Sequence, residues 1–432
     1  YEAGDYAQGI TLAEKWVEQQ NVSRQEDIYP LVYYYIAYGY QNLHRKENTE
    51  QTNHYMTVYV TLGENAVADG CFPHRTEDYI VLKSLAEDYY LDMVYYYLGC
   101  LLYDRRAYGE AIADYEEAAR RYPDFPTVHR NLALAYYNVK KQPQRAYEEM
   151  EKAFALDETD ARVYLELDQL KKRLNVPVKE RWSDMEKHFD LVESRDDLYL
   201  EYVTLLNTLG EPKKALGLIM VRKFHQWEGG EGKVAAQYLT ALYQLAKAAV
   251  AKEDYAEAKE LLLRAVDEYP HNLGEGKLES AQENNLYYLL GLAQEKLGET
   301  EEAFVNLTKA CYGESEPVGM MYYNDQPPEM IYYQGLAYRK LGDEEQAVQR
   351  FCKLVDYGKE HIGDEIKIDY FAVSLPDLLI FEENLNERNR KHCLFMMSLG
   401  LRGLGQTDEA KACAEELLSM DNAHQGIRVH DL

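Results

Sequence analysis

Small and aromatic residues recur along the chain at fixed distances, and this repetition restricts the possible folds more than any other feature. The clearest copy begins at Gly99. Counted from it, the later positions are Ala111 at +12, Tyr115 at +16, Ala118 at +19 and Pro123 at +24. Small residues at such positions let two helices cross at close range. The spacing therefore predicts closely packed pairs of antiparallel helices.

The same spacing returns further along the chain, in copies that differ in completeness. The members of these copies are Gly291, Ala303, Leu307 and Ala310; Gly335, Ala347 and Phe351; Ala246, Ala258, Leu262, Ala265 and Pro270; and, more loosely, Leu132, Tyr136, Ala146 and Ala153, Gly210 and Ala215, and Gly405 and Ala410. The pattern resembles the tetratricopeptide repeat, a helix pair with a period of about 34 residues. The resemblance implies an all-α fold, a right-handed α-α superhelix with a concave and a convex face.

The repeats predict the organisation of the whole chain. We expect residues 1–432 to form a single continuous solenoid with essentially no sheet. Better-formed repeats are predicted near 92–125, 126–160, 239–272, 284–312, 328–357 and 391–424. Irregular inserts are predicted near 70–80, 175–195, 223–233, 312–329 and 358–390. Long loops in a repeat protein usually lie on one face and either bind or brace.

The charge balance excludes several kinds of partner. The chain has 75 acidic residues against 47 Lys and Arg, a formal net charge of -28. A surface this negative repels phosphate backbones and anionic lipids, so binding of nucleic acid or membrane is not expected. There are also 40 tyrosines against 10 phenylalanines and 3 tryptophans. Because each buried hydroxyl needs a hydrogen-bond partner, we expect some of these rings at a contact surface.

The cysteines and the first residues of the sequence predict the compartment in which the protein works and its relation to a longer chain. Six cysteines are scattered without a C-x-x-C pair, which fits a reducing compartment and argues against a disulfide framework or a zinc site. No apolar stretch is long enough to span a membrane. The sequence begins at Tyr1, within what reads as a repeat. We therefore expect a fragment of a longer cytoplasmic protein.

A glycine-rich stretch at residues 225–233 is the most conspicuous candidate loop. It lacks the G-x-x-x-x-G-K-[ST] order of a phosphate loop and a preceding strand, so it is not a nucleotide site. One interpretation is a loop that presents side chains to a ligand or a partner domain; the other is a loop whose tryptophan fills a gap between repeats. The candidate contact residues are His225, Trp227, Glu228, Glu231 and Lys233.

Four further polar residues are candidate partners for a ligand: Arg130, Asn131, Asp168 and Asp197. The competing interpretation is structural, since Arg130 could tie repeats together and Asp196 or Asp197 could cap the helix that follows. Residues 166 and 168 do not share a helix face, so they form no obvious acid–base pair. No catalytic or metal-binding pattern is found, and we expect no cofactor.

One position of the repeat points to a candidate groove. We count from the glycine that begins each copy, or from the residue that replaces it. The residue three places before it faces the concave side in the tetratricopeptide fold. The residues at this position are Tyr96, Arg130, Leu200, Tyr243, Tyr288, Tyr332 and Phe395. Aromatic rings here suit stacking on sugars, an extended peptide or another domain; alternatively, a tight superhelix buries them. If they face an open groove, Tyr243→Ala and Tyr288→Ala should leave folding nearly intact.

Several segments in a fixed order resemble a narrower group. They are residues 71–75, 96–99, 128–132, 166–170, 195–198 and 224–233. Together they look like the C-terminal half of a large bacterial family of unknown function. Its members typically carry an N-terminal β-rich domain, similar to those of carbohydrate-active enzymes, before the repeats. In that family the loop more often has Pro where Gln226 stands here.

Two functions follow as hypotheses. The first is a non-catalytic scaffold whose Tyr-rich groove binds a protein partner or its own N-terminal domain. The second is the helical half of a carbohydrate-active enzyme, in which Trp227, Glu228, Glu231, Arg130, Asp168 and Asp197 line a composite sugar site. Catalysis by this fragment alone is not expected, while an activity of the full-length protein stays open.

Overall fold

The computed structural model describes residues 4–20, 24–47, 49–68, 70–89, 91–227, 229–278, 281–319, 325–367 and 380–430. Every regular element in these ranges is helical, which confirms the predicted all-α helix-pair solenoid. The chain divides into two compact units, Tyr1–Val163 and Tyr164–Leu432. That the whole chain forms one continuous solenoid stays a prediction. None of the described helices combines the length and apolarity that crossing a membrane requires.

The first unit contains eight helices among the described residues: α1 (Tyr6–Gln19), α2 (Pro30–Glu47), α3 (Glu50–Asn65), α4 (Thr76–Asp88), α5 (Met93–Asp104), α6 (Tyr108–Arg121), α7 (Pro126–Asn138) and α8 (Pro143–Leu156). The boundary between the units falls in α9 (Ala161–Arg173).

The second unit continues with α10 (Val178–Lys187), α11 (Phe189–Ser194), α12 (Asp196–Thr208), α13 (Pro212–Val221), α14 (Lys233–Ala251), α15 (Tyr255–Val266), α16 (Asn284–Leu297), α17 (Thr300–Cys311), α18 (Pro328–Lys340), α19 (Glu344–His361), α20 (Leu385–Gly403), α21 (Thr407–Met420) and α22 (Gln425–Val429).

The repeated spacing corresponds to direct contacts within the helix pairs α5–α6, α16–α17 and α18–α19. In each pair the glycine that begins the copy lies against the residue sixteen places later: Gly99 against Tyr115, Gly291 against Leu307, and Gly335 against Phe351. A Cβ added at these glycines would lie 2.5 to 2.6 Å from the facing side chain. The glycine thus makes room for the large residue of the second helix.

The turns that follow the first helix of each pair share a residue in the left-handed conformation. These residues are Arg106, Lys141, Asn175, Gly210, Glu253, Gly298, Gly342 and Gly405. The next residue in several of them donates its N–H to the carbonyl five places earlier, as Ala107 does to Leu102, which is the Schellman pattern. From Arg106 to Gly210 the left-handed residues are 34 or 35 apart, so Asn175 follows the period although 175–195 reads as an insert.

Buried tyrosines find their hydroxyl partners among the abundant carboxylates. Tyr34 is fully buried and its hydroxyl donates to Glu64 at 2.7 Å. Tyr136 is 2% exposed and donates to Glu116 at 2.8 Å. The acidic composition therefore supplies acceptors that let tyrosine serve as a core residue. Part of the tyrosine excess belongs to the core and not to a contact surface.

Candidate protein-interaction face

The last described helix, α22, lies against several repeats of the second unit. Together with the two histidines that flank it, His424 and His430, it contacts α12, α14, α18 and α20. We call the surface defined by these contacts the docking face. Its members are Thr204 and Thr208 on α12, Gln237, Tyr243 and Lys247 on α14, Tyr333 on α18 and Phe395 on α20.

A reciprocal amide pair holds the start of α22. Gln425 Nε2 donates to Gln237 Oε1 at 3.1 Å, and Gln237 Nε2 donates back to Gln425 Oε1 at 3.2 Å. Asn207 Nδ2 donates to the same Gln237 oxygen at 3.0 Å, which fixes the orientation of the amide. At the other end, Lys247 Nζ donates to the carbonyl of Val429 at 2.6 Å. A cation at the C-terminal end of a helix also interacts favourably with the helix dipole.

Two tyrosines and a histidine form a buried hydrogen-bonded chain beside α22. The hydroxyls of Tyr243 and Tyr333 bond to each other, and the Tyr333 hydroxyl is 3.0 Å from Nδ1 of His430. The His430 ring also packs against both phenol rings, with centroid distances of 5.8 and 5.5 Å. Burial raises the pKa of Tyr333 well above its usual range. The phenol is therefore neutral, and it is hydrogen-bonded to the residue that follows α22.

A glycine lets α22 lie flat on an aromatic ring. A Cβ at Gly426 would lie 2.6 Å from Cζ of Phe395. The same Phe395 ring packs edge-on against His424 at a centroid distance of 4.8 Å. Ile427 and Val429 are 2% and 7% exposed, so the apolar residues of α22 turn inward.

The residues before α22 are anchored to the turn after α9. The backbone N–H of Asn422 donates to Oδ1 of Asn175 at 2.7 Å, and Asn422 Nδ2 donates to the backbone carbonyl of Asn175 at 2.6 Å. Asn175 Nδ2 in turn donates to the carbonyl of Ser419 at 3.0 Å. The left-handed residue of this turn thus holds residues 419–422 in place.

The predicted groove residues are mostly covered. Tyr96, Tyr243, Tyr332 and Phe395 are 8%, 3%, 7% and 5% exposed, and Leu200 is 4% exposed, while Tyr288 and Arg130 are half-buried. Three of them have a role at the docking face: Tyr243 and Phe395 contact the segment that contains α22, and Tyr288 packs beside Tyr333 at 5.7 Å. In the first unit, Tyr96 packs on Phe125 at 4.9 Å.

The burial of Tyr243 changes the expected result of its truncation. Tyr243→Ala removes a buried ring and a hydrogen bond, and should lower the free energy of unfolding by about 3 kcal/mol. Tyr288→Ala, at a half-buried position, should lower it by roughly half as much. Urea denaturation followed by circular dichroism measures both. Equal, small losses would show that Tyr243 is not buried in solution.

The glycine-rich loop is braced by its own unit. Asp196 Oδ2 accepts from the His225 backbone N–H at 2.9 Å. Glu275 accepts from the N–H groups of Gly232 and Ala235 at 2.8 and 3.0 Å and so caps the start of α14. The Trp227 ring is half-buried over Gly230, where a Cβ would overlap it.

The remaining loop candidates lie on the surface where the structure describes them. Glu231, Lys233 and His225 are exposed, and Glu228 lies outside the described residues. Their role as a contact loop therefore stays a prediction.

Asp168 belongs to a buried ion-pair network. Arg181 donates to both of its carboxylate oxygens, at 3.0 and 2.6 Å, and also to Glu201 at 2.7 Å. Arg181 and Asp168 are 1% and 3% exposed. Burial alone would raise the pKa of Glu201, but Lys172 and Arg181 outweigh it and hold the pKa low, at about 2. Glu201 therefore stays charged and paired, whereas burial raises the pKa of Asp168 although Arg181 opposes this shift.

The other polar candidates have local partners. Asp197 accepts two hydrogen bonds from Arg195, at 3.0 and 2.7 Å. Because α12 begins at Asp196, neither aspartate is the N-cap residue, which is Arg195; Asp197 does accept from the Leu198 N–H of the first turn at 2.8 Å. Asn131 Nδ2 donates to the Cys100 sulfur at 3.8 Å, and Arg130 is 3.4 Å from the Asn131 oxygen. Across the described residues, no cluster of His, Cys, Asp or Glu is placed to hold a metal ion.

Sequence reasoning missed most of the docking face. Gln237, Lys247 and Tyr333 give no pattern of their own, and α22 is a five-residue helix, too short for a periodicity to show. The contacts that join them span up to 188 residues of sequence. The available signals were Tyr243 and Phe395, each at the groove position of its repeat.

These features define an all-α protein built from repeated helix pairs. Family models described as tetratricopeptide repeat match residues 96–161, residues 240–272 and 329–357, and residues 285–312 and 392–424. These parts of the chain are therefore similar to tetratricopeptide repeats.

Three solved structures are similar to parts of this chain. PilW, a type IV pilus biogenesis factor, has 12% identity and a TM-score of 0.31 over 54% of this chain and 92% of its own. YrrB, a TPR protein with an unusual peptide-binding site, has 16% identity and a TM-score of 0.21 over 56% and 97%. A tetratricopeptide repeat protein from Parabacteroides merdae has 14% identity and a TM-score of 0.28 over 77% and 98%.

Proposed function

We propose that the chain is a non-catalytic scaffold that binds a segment of a protein through the docking face. The observation that carries this proposal is the position of α22, a short helix that, with its flanking residues His424 and His430, contacts four helices of different repeats. The contacts are those that recognise a polypeptide: a paired side-chain amide, a cation on a backbone carbonyl, and an aromatic ring under a glycine. Three of the predicted groove positions, Tyr243, Tyr288 and Phe395, lie at or beside this face.

The partner is a separate protein or a domain that precedes these repeats in the same polypeptide. The six free thiols fit a reducing compartment, so we place the protein in the cytoplasm. The alternative of a composite sugar site receives less support. A glycosidase needs two carboxylates that face an open cleft, whereas Asp168 and Asp197 are both engaged by arginines.

Peptide selection with a positional readout tests the proposal. A displayed library of random peptides is selected on the intact chain, and the recovered peptides are tested on two variants carrying the photo-crosslinker p-benzoylphenylalanine. One variant has it at position 288, beside Tyr333; the control has it at position 304, where Phe304 is 61% exposed on α17. We expect crosslinks at 288 and few at 304. Failure to recover binders, or crosslinking that is equal at both positions, contradicts the proposal.

A further inference from the structure

The helix α22 cannot hold its structure without the docking face. It has five residues, and a helix this short is not stable alone in water. It is kept in place by hydrogen bonds from Gln237 and Lys247 and by the burial of Ile427 and Val429. A segment that folds only on a surface, through a few side-chain contacts, is one that another segment of like chemistry can replace.

We infer that α22 is a built-in competitor: it occupies the face that a partner's segment uses, and the partner must displace it. The inference rests on the proposed function and adds the chemistry of the partner segment. That segment offers a side-chain amide for Gln237, a glycine over Phe395 and two buried aliphatic residues, in the order shown by Gln425, Gly426, Ile427 and Val429. Its last turn ends where Lys247 can donate to a carbonyl.

Each of these requirements follows from a contact. The reciprocal bonds between Gln425 and Gln237 need a group that both donates and accepts in one plane, which a primary amide does. Any side chain at Gly426 meets the Phe395 ring. Arg428 is exposed, and its guanidinium donates to the carbonyl of Asn422 within the same segment at 2.9 Å. This position of the partner segment is therefore not constrained by the docking face as the structure describes it.

Competition within one chain strongly suppresses binding from outside. A tethered segment acts at an effective concentration on the order of millimolar. A free segment with the same contacts is therefore outcompeted until α22 is released. Release of α22 should expose the face without altering it.

The experiment measures binding of a fluorescein-labelled peptide of residues 419–430 to the full chain by anisotropy. Two variants displace α22 from its own side: Gly426→Val, which collides with Phe395, and Ile427→Lys, which places a charge at a buried position. The matched control is Arg428→Val, which introduces the same residue as the first variant at an exposed site of α22. Faster amide hydrogen exchange at residues 425–430 verifies displacement.

The expected result is weak binding to the wild type and to Arg428→Val, and affinity at least about tenfold higher for both displacing variants. A peptide that itself carries Gly426→Val should not bind. Equal affinity for all proteins, or no binding to folded displacing variants, overturns the inference. So does loss of cooperative melting in both variants, because α22 would then be an indispensable part of the fold.

Two further outcomes distinguish failure of the internal-competitor inference from failure of the proposed scaffold function. If the wild type is a dimer that Gly426→Val converts to a monomer, α22 is supplied by a second copy and the internal competitor is refuted. If selected peptides crosslink at position 288 but the peptide of residues 419–430 does not bind, the scaffold stands and the competitor fails.

Discussion

Arg181→Met should lower the free energy of unfolding by about 3–5 kcal/mol. The guanidinium is 1% exposed and holds Asp168, itself 3% exposed, through two hydrogen bonds. Methionine fills similar space but leaves the aspartate buried without its cation. The loss comes mainly from this uncompensated charge and less from the attraction between the two groups. Chemical denaturation in urea, followed by circular dichroism, measures it.

The matched control is Arg195→Met. Arg195 makes the same two-bond contact with Asp197, at 3.0 and 2.7 Å, but their side chains are 37% and 29% exposed. Exposed pairs contribute about 0–1 kcal/mol, so this variant should stay close to the wild type. The double variant Arg181→Met with Asp168→Leu should recover much of the lost stability, because it removes both buried charges. Equal losses for the two single variants would contradict the argument from burial.

The two carboxyls of this network have pKa values shifted in opposite directions: burial raises the pKa of Asp168, whereas Lys172 and Arg181 lower that of Glu201. The shift of Glu201 gives a pH dependence with a defined sign. The pKa of Glu201 is lowered from 4.5 to about 2 in the folded protein. A carboxyl with a lowered pKa stabilises the fold above its unfolded pKa, and this contribution is lost as the pH falls from about 4.5 to about 2. Because Arg181 is one of the two cations responsible, Arg181→Met should lose less stability over this pH range than the wild type does.

Phe351→Ala should lower the free energy of unfolding by about 4 kcal/mol. The ring is fully buried and joins three helices. It fills the space left by Gly335 on α18 and by Gly403 on α20, and it packs on Tyr332 at a centroid distance of 5.7 Å. Removal of the ring leaves a cavity that the rigid backbones of three helices cannot close. Thermal and urea denaturation should both show the loss.

A double-mutant cycle tests whether the glycines exist to admit this ring. Gly403→Ala alone should be destabilising, since a Cβ there would overlap Phe351. In the Phe351→Ala background the same substitution should be neutral or stabilising, because the methyl group enters the cavity. Additive effects of the two substitutions would show that ring and glycine are not coupled.

The helix pairs could be predicted from the sequence because their contacts are short-range. Gly99 and Tyr115 are sixteen residues apart, and a helix, a turn and a second helix of ordinary length bring them together. The turns were only partly visible: Gly298 and Gly342 mark theirs, while Arg106 and Glu253 adopt the same left-handed conformation without a glycine. There the packed helices impose a conformation that the residue type alone disfavours.

The candidate site, too, could be predicted from the sequence only in part. The sequence places Tyr243, Tyr288 and Phe395 at one position of the repeat, and the structure brings all three to or beside the docking face. It could not show that Tyr243 is buried, because the covering residue, His430, lies nearly two hundred positions later. The sequence also could not show that Asp168 pairs with Arg181, because an aspartate that binds a ligand and one that pairs inside the protein look the same in a sequence.

The sequence by itself determined the all-α repeat architecture, because a spacing fixed within about 34 residues specifies which faces of neighbouring helices meet. Only the tertiary structure decided what covers those faces. A five-residue helix carries too little local information to be recognised, and its place depends on Gln237, Lys247 and Phe395, which come together only once the repeats have stacked.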